Sequence, residues 1–234
     1  MRTFTQKVAF ALIALLSMIA LPQAVMAQDC VDIGDGTTAV NGNVPVASWY
    51  HNSYTQQLYT ADEINHAAGN ITSISFKYVS GATAMTRKIT VYMANTDAAN
   101  LSTSYVTEGF EEVFSSPAFT FDDSDEWITI DLTTPFAYDG TSNLVVAVWQ
   151  DYDSSVETGY SSGSRFVQTS MTGMARYQQV DNGAYTLSDG VPTTGTGSTL
   201  SARANIQLCI AGGSAGPTCD KPESVEANDV TSNS

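Results

Sequence analysis

The chain has 234 residues, 43% of them hydrophobic and only 14% charged, with 9 lysines and arginines against 24 acids. So acidic a chain is repelled by phosphate backbones and anionic membrane surfaces, which excludes nucleic acid as a partner. Thr, Ser, Asn, Gln, Gly and Tyr replace the missing charge, a profile that favours strands and turns over helices with a charged wet face.

At the N-terminus Arg2 and Lys7 precede an apolar run from Val8 to Leu21, followed by Pro22 and Val25-Met26-Ala27. This is the layout of a secretory signal peptide over residues 1–27, with cleavage expected after Ala27. The run is short for a membrane span, which needs about 20 residues, so no membrane insertion is expected after cleavage. Loss of Arg2 and Lys7 leaves seven bases against 24 acids, a net charge of −17. The expected address is secreted, extracellular or cell-surface.

Cys30, Cys209 and Cys219 form no C-x-x-C pair, so neither a zinc knuckle nor a redox motif has support. In an oxidising compartment they make one disulfide and one spare thiol. Terminal strands of a sandwich often lie side by side, which suits Cys30–Cys209; Cys209–Cys219 and Cys30–Cys219 stay open.

Trp49, Tyr50, Tyr54 and Tyr59 crowd a polar-aromatic segment that also holds His51. Residues 61–68 form the one expected helical turn. From Ile71 to Val79 the alternation places Ile74, Phe76 and Tyr78 on one face, and Lys88–Met93 repeats it with Ile89, Val91 and Met93. Residues 95–125 read as an exposed excursion with one strand near Ala118–Phe121. Trp127–Leu132 groups Ile128, Ile130 and Leu132. Leu144–Trp149 is apolar on both faces, as in a strand covered on both sides. Trp149, Tyr152 and Tyr160 make a second aromatic group, Leu187–Ser201 reads as a loop, and Asn205–Ile210 closes the set. Short strands separated by turn-rich loops predict an all-β, antiparallel β-sandwich over residues 28–211. Residues 212–217 read as a linker. In residues 218–234, Pro222, Val225 and Val230 resemble the first strand of a fibronectin type III domain, so the chain reads as the front of a longer multi-domain protein.

Chemistry is sparse. His51 and His66 are the only histidines, and they read as surface residues; no Gly-x-Ser-x-Gly or His-Glu-x-x-His motif occurs. Carboxylates cluster at Asp122, Asp123 and Asp125 before one strand and at Asp151 and Asp153 after another. Loop carboxylates suit a hard cation, so structural calcium is the one cofactor expected, with a solvated acidic turn as the bland alternative. The candidate ligand contacts are Trp49, Tyr50, Tyr54, Trp149, Tyr152 and Tyr160. Each could stack on a sugar or protein ligand, or serve as core. Binding is expected not to depend on histidine.

Residues 30–210 resemble a cleaved-adhesin-like repeat domain of bacterial surface proteins exported by the type IX route. The resemblance is carried by Ile33-Gly34-Asp35-Gly36-Thr37, Tyr54-Thr55-Gln56-Gln57-Leu58-Tyr59, Gly69–Phe76, Thr86–Met93, Trp127–Leu132 and, most specifically, Pro135-Phe136-Ala137-Tyr138-Asp139-Gly140. It implies a jelly-roll-like sandwich (galactose-binding or MAM-like) on extracellular adhesins and hydrolases, and no catalytic residues. The resulting expectation is a non-catalytic module for adhesion or for binding an extracellular glycan or a host or matrix protein. The alternative is an accessory domain of a secreted protease or glycoside hydrolase whose catalytic part lies outside this chain.

Overall fold

Period-two alternation of β-branched and aromatic residues with Ser, Thr and Asn makes this chain fold as strands, since each strand then has one face to bury. The computed structural model describes residues 28–41, 43–47, 49–79, 84–122, 127–159 and 165–212. The expected leader (1–27), residues 213–217 of the expected linker, and the fibronectin-like segment (218–234) lie outside these residues, as do Asp123, Asp125, Tyr160 and Cys219.

In chain order the elements are β1 (Gln28–Ile33), β2 (Thr38–Asn41), β3 (Asn52–Tyr59), α1 (Ala61–Ile64), β4 (Gly69–Lys77), β5 (Met85–Thr96), β6 (Glu111–Phe121) and β7 (Trp127–Tyr138). They continue with β8 (Asn143–Gln150), β9 (Arg165–Ser170), β10 (Ala175–Val180), β11 (Leu187–Ser188), β12 (Val191–Pro192), β13 (Ser198–Thr199), β14 (Ala202–Ala204) and β15 (Ile206–Ala211). One sheet runs β1-β15-β4-β7, a larger one β13-β10-β3-β8-β5-β6, and a small one β14-β9-β2. Every pairing between these strands is antiparallel. The protein is an all-β antiparallel sandwich.

Its main core lies between the two larger sheets. Ile74 and Phe76 of β4, Ile130 and Phe136 of β7, and Ile206, Leu208 and Ile210 of β15 face Ile89, Val91 and Met93 of β5 and Leu144, Val146 and Val148 of β8. Phe166 joins the layers, meeting Phe76, Tyr78 and Phe121 edge-to-face. Such offset rings contribute beyond their buried area.

The outer face of the large sheet is covered too. Val145, Leu58, Leu101 and Met174 form one cluster there, and Tyr54, Tyr105, Ala147 and Val191 another. The covering pieces are the segments on either side of Tyr105 and of Val191, so the expected exposed excursion and the Leu187–Ser201 loop form packed roofs over the sheet. β8 is therefore covered on both sides, as its two apolar faces require. Arg176 of β10 fastens both roofs: its Nη1 donates to the carbonyls of Leu101 (3.2 Å) and Ser102 (3.1 Å), its Nη2 to Gly197 (3.0 Å) and its Nε to Thr196.

β3 explains how a polar strand can be central. All eight residues are buried, including Ser53, Thr55, Gln56 and Gln57. Buried amides are mostly paired, and here the pairing builds the architecture, with Gln57 Nε2 left without a partner among the described residues. Gln56 donates to Val106 O (2.8 Å) and accepts from Val106 N (2.8 Å), fixing one roof. On the other face Gln57 Oε1 accepts from Ala204 N (2.8 Å), fixing β14.

The expected helical turn is shorter than read. Thr60 caps α1 in a reciprocal capping box with Glu63, and Asn65 ends it in the left-handed region at φ 43°. The Asp139-Gly140 turn joins β7 to β8: Asp139 Oδ1 accepts from the amides of Thr141 and Ser142 (both 2.8 Å), and Gly140 sits at φ +78°. A Cβ on Gly140 would lie 2.4 Å from Ala68 N, so only glycine fits. Among the described residues no helix is long and apolar enough to cross a membrane.

β1 is an edge strand, and Cys30 faces Cys209 across the β1–β15 ladder with Cα atoms 4.0 Å apart, joined as a disulfide. This is the first of the three alternatives; the other two involve Cys219, outside the described residues.

Candidate functional site

Antiparallel pairing of β3 with β8 and β10 puts the start of β3 beside the ends of the other two: Ser53 faces Gln150, and Asn52 faces Val180. Residues 49–51, 151–159 and 181–183 consequently meet at one corner of the large sheet. Hydrogen bonds lock it. Gln150 Nε2 donates to the carbonyls of Tyr50 (2.7 Å) and His51 (3.0 Å). Asn52 Oδ1 accepts from Tyr152 N (3.0 Å), while its Nδ2 donates to Gly183 O (2.7 Å). The His51 Nδ1–H donates to Asp181 O (2.9 Å), since a carbonyl can only accept, and this assigns the tautomer.

On this framework stand Trp49, 58% exposed, and Tyr152, 40% exposed, the large hydrophobic side chains left in solvent among the described residues. The His51 ring stacks on Tyr152 at 4.1 Å between centroids and an interplanar angle of 21°. Tyr152 is thus an oriented ring supported from one side.

The other sequence candidates divide. Tyr50 is half-buried at the corner. Tyr54, expected among the ligand contacts, is fully buried; its hydroxyl donates to Gly190 O (2.8 Å) and accepts from Gln56 Nε2 (2.9 Å). Burial drives that hydroxyl's pKa upward, so it stays protonated. Tyr54 is core because alternation turns it under the roof. Trp149, opposite Tyr54 in register, packs half-buried in the same outer cluster.

The carboxylates are engaged locally. Asp151 Oδ2 pairs with Lys88 Nζ at 2.5 Å. Asp153 Oδ1 accepts from the Ser155 hydroxyl (2.6 Å) and amide (2.9 Å), and these bonds hold its carboxyl below the usual range. Asp122 is exposed at the end of β6. Among the described residues no group of three or more His, Cys, Asp or Glu is placed to hold a metal ion.

His66, read as a surface residue, is instead buried at 4% exposure; its Nδ1–H donates to Ala67 O (2.6 Å) and its Nε2 faces Asp29 Oδ2 at 3.9 Å. A polar cleft of about 640 Å³ lies elsewhere, bordered by Asn95, Asp97, Glu108 and Asp139, but its ring, Tyr105, is buried beneath it.

Sequence reasoning did not single out Asn52, Gln150 or Asp181. The signal for them was weak: amides and acids beside aromatic residues gain a role only when three strand ends converge.

No protein-family profile matches the chain, and no curated protein matches it.

Proposed function

We propose that this protein is a non-catalytic extracellular or cell-surface module that supports adhesion or ligand binding, the ligand being a glycan or a host or matrix protein. The observation that carries the reading is the corner itself. Trp49 and Tyr152 are each exposed, on segments that Gln150 and Asn52 tie to the large sheet. A pre-organised ring loses little entropy on binding, and aromatic residues with a wet polar rim are enriched where proteins meet ligands.

The resemblance to cleaved-adhesin repeats and the expected signal peptide agree with an exported surface protein, and the Cys30–Cys209 disulfide is compatible with an oxidising compartment. Against catalysis, His66 is closed off from solvent and His51 is occupied by Tyr152 and Asp181. On this reading the His51 ring stacked on Tyr152 supports the platform, so its removal is expected to weaken binding, in place of the histidine independence expected from the sequence.

A glycan and matrix-protein array probed with the purified protein is the test. Specific binding is the expected result. Peptide or glycoside turnover that disappears when His51 and His66 are both replaced by Ala would overturn the reading.

A further inference from the structure

The charge pattern discriminates among ligands for this corner, on the reading that the corner binds. Cations are few, and those whose side chains are described are engaged within the fold. Arg176 is buried among carbonyls, and Arg203 is buried against Glu63, Leu58 O and the Tyr59 ring at 4.4 Å. Arg87 is buried and donates to the carbonyls of Thr86 and Thr158. Lys77 lies over the Trp127 ring at 5.7 Å. Lys88, close to the corner, is matched by Asp151.

Acids outnumber cations at the corner, where Lys88 stands against Asp151, Asp153 and Asp181. Asp181 is exposed, with its Oδ1 3.4 Å from the His51 amide, and Asp153 hydrogen-bonds its own turn through Ser155 while sharing Lys88 with Asp151. A hydrogen bond from a neutral donor leaves the carboxylate's charge in place. One lysine against three carboxylates leaves the corner that exposes Trp49 and Tyr152 net negative, on a protein of net charge −15, or −17 once the expected leader is removed.

We infer that this corner takes a positively charged group, a lysine or arginine side chain in a basic segment of a protein partner. Trp49 and Tyr152 offer their faces to the cation while Asp153 and Asp181 supply the counter-charge. Ring quadrupoles attract a cation held over the face, and the acidic surface steers a basic partner toward the molecule. The same field repels sulfated or sialylated glycans. A neutral saccharide would use the rings and donate hydroxyl hydrogen bonds to the carboxylates, but would leave their charge unbalanced.

The experiment is calorimetric titration of the purified protein with a synthetic Lys/Arg-rich peptide, a neutral oligosaccharide and a sulfated oligosaccharide, at low and physiological salt. The peptide is expected to bind and the sulfated sugar not to bind. Affinity for the peptide should fall with salt as exposed charges are screened. Trp49→Ala and Tyr152→Ala leave net charge unchanged, yet each should weaken the peptide about threefold or more, the size of one exposed cation–ring contact. Asp62→Asn, near the opposite end of β3, should have little effect. Equal peptide binding by the aromatic variants would mean diffuse attraction to an acidic protein and would overturn the inference. Binding of the neutral sugar but not the peptide, lost in those same variants, would overturn the cation assignment and leave the binding role standing. Failure of all three ligands together with a blank array would overturn both.

Discussion

Replacing Cys30 and Cys209 together by Ser tests how the edge of the sandwich is secured. The bond closes a loop with a sequence separation of 179 residues. Loop-closure entropy for a chain that long corresponds to about 5 kcal/mol of stabilisation at 25 °C, with about 2–4 kcal/mol the usual yield for disulfides in general. Outside its ladder with β15, β1 is held by the Gln28 Nε2 bond to Thr72 Oγ1 and by Asp29 facing His66. Ile33 is buried and Val31 half-buried, while its other four residues are exposed. The double variant should therefore lose about 2–5 kcal/mol in urea unfolding, with β1 amides losing hydrogen-exchange protection before the rest of the fold. Both cysteines are replaced so that Cys219 has no vacated partner to capture. A loss below about 1 kcal/mol with β1 protection intact would refute the argument, because neither chain entropy nor the edge-strand account would then be at work.

Tyr54→Ala should cost about 3–5 kcal/mol by opening a cavity under the roof, and Tyr54→Phe about 1 kcal/mol for the bond to Gly190, both read from urea midpoints; a neutral Tyr54→Ala would return that ring to the surface. At Glu63, burial raises the carboxyl's pKa, but hydrogen bonds from Arg203 and the Thr60 amide outweigh it and hold the group below the usual carboxylate range. A carboxyl depressed on folding contributes stability above its unfolded value and loses it as pH falls through its folded value. The stability advantage of wild type over Glu63→Gln should accordingly be full at neutral pH and shrink below about pH 4. A gap constant with pH in parallel denaturant titrations would contradict this.

The strands that alternate plainly were legible in the sequence: Ile74, Phe76 and Tyr78, then Ile89, Val91 and Met93, face the core as read. The two-faced run Leu144–Trp149 correctly announced a strand covered on both sides. β3 was not legible as a central strand, because Gln56 and Gln57 occupy positions where apolar residues are expected. Their partners, Val106 and Ala204, lie 50 and 147 residues away, so no local pattern could show where these amides bond. β10 was missed for the same reason, since Arg176 is buried by carbonyls from both roofs. At the corner the residue types were readable, but their exposure was not. Tyr54 and Tyr152 look alike in sequence; the carbonyl of Gly190 claims one, and the stacked His51 ring presents the other.

The central claim is that the corner is a binding surface uncoupled from the core. Its most direct test is one preparation of a Trp49→Ala/Tyr152→Ala variant, measured for array binding and for unfolding free energy side by side. The account predicts that specific binding disappears while stability stays within about 0.5 kcal/mol per substitution, as for exposed side chains. Binding that persists, or that is lost only in proportion to unfolding, would contradict it.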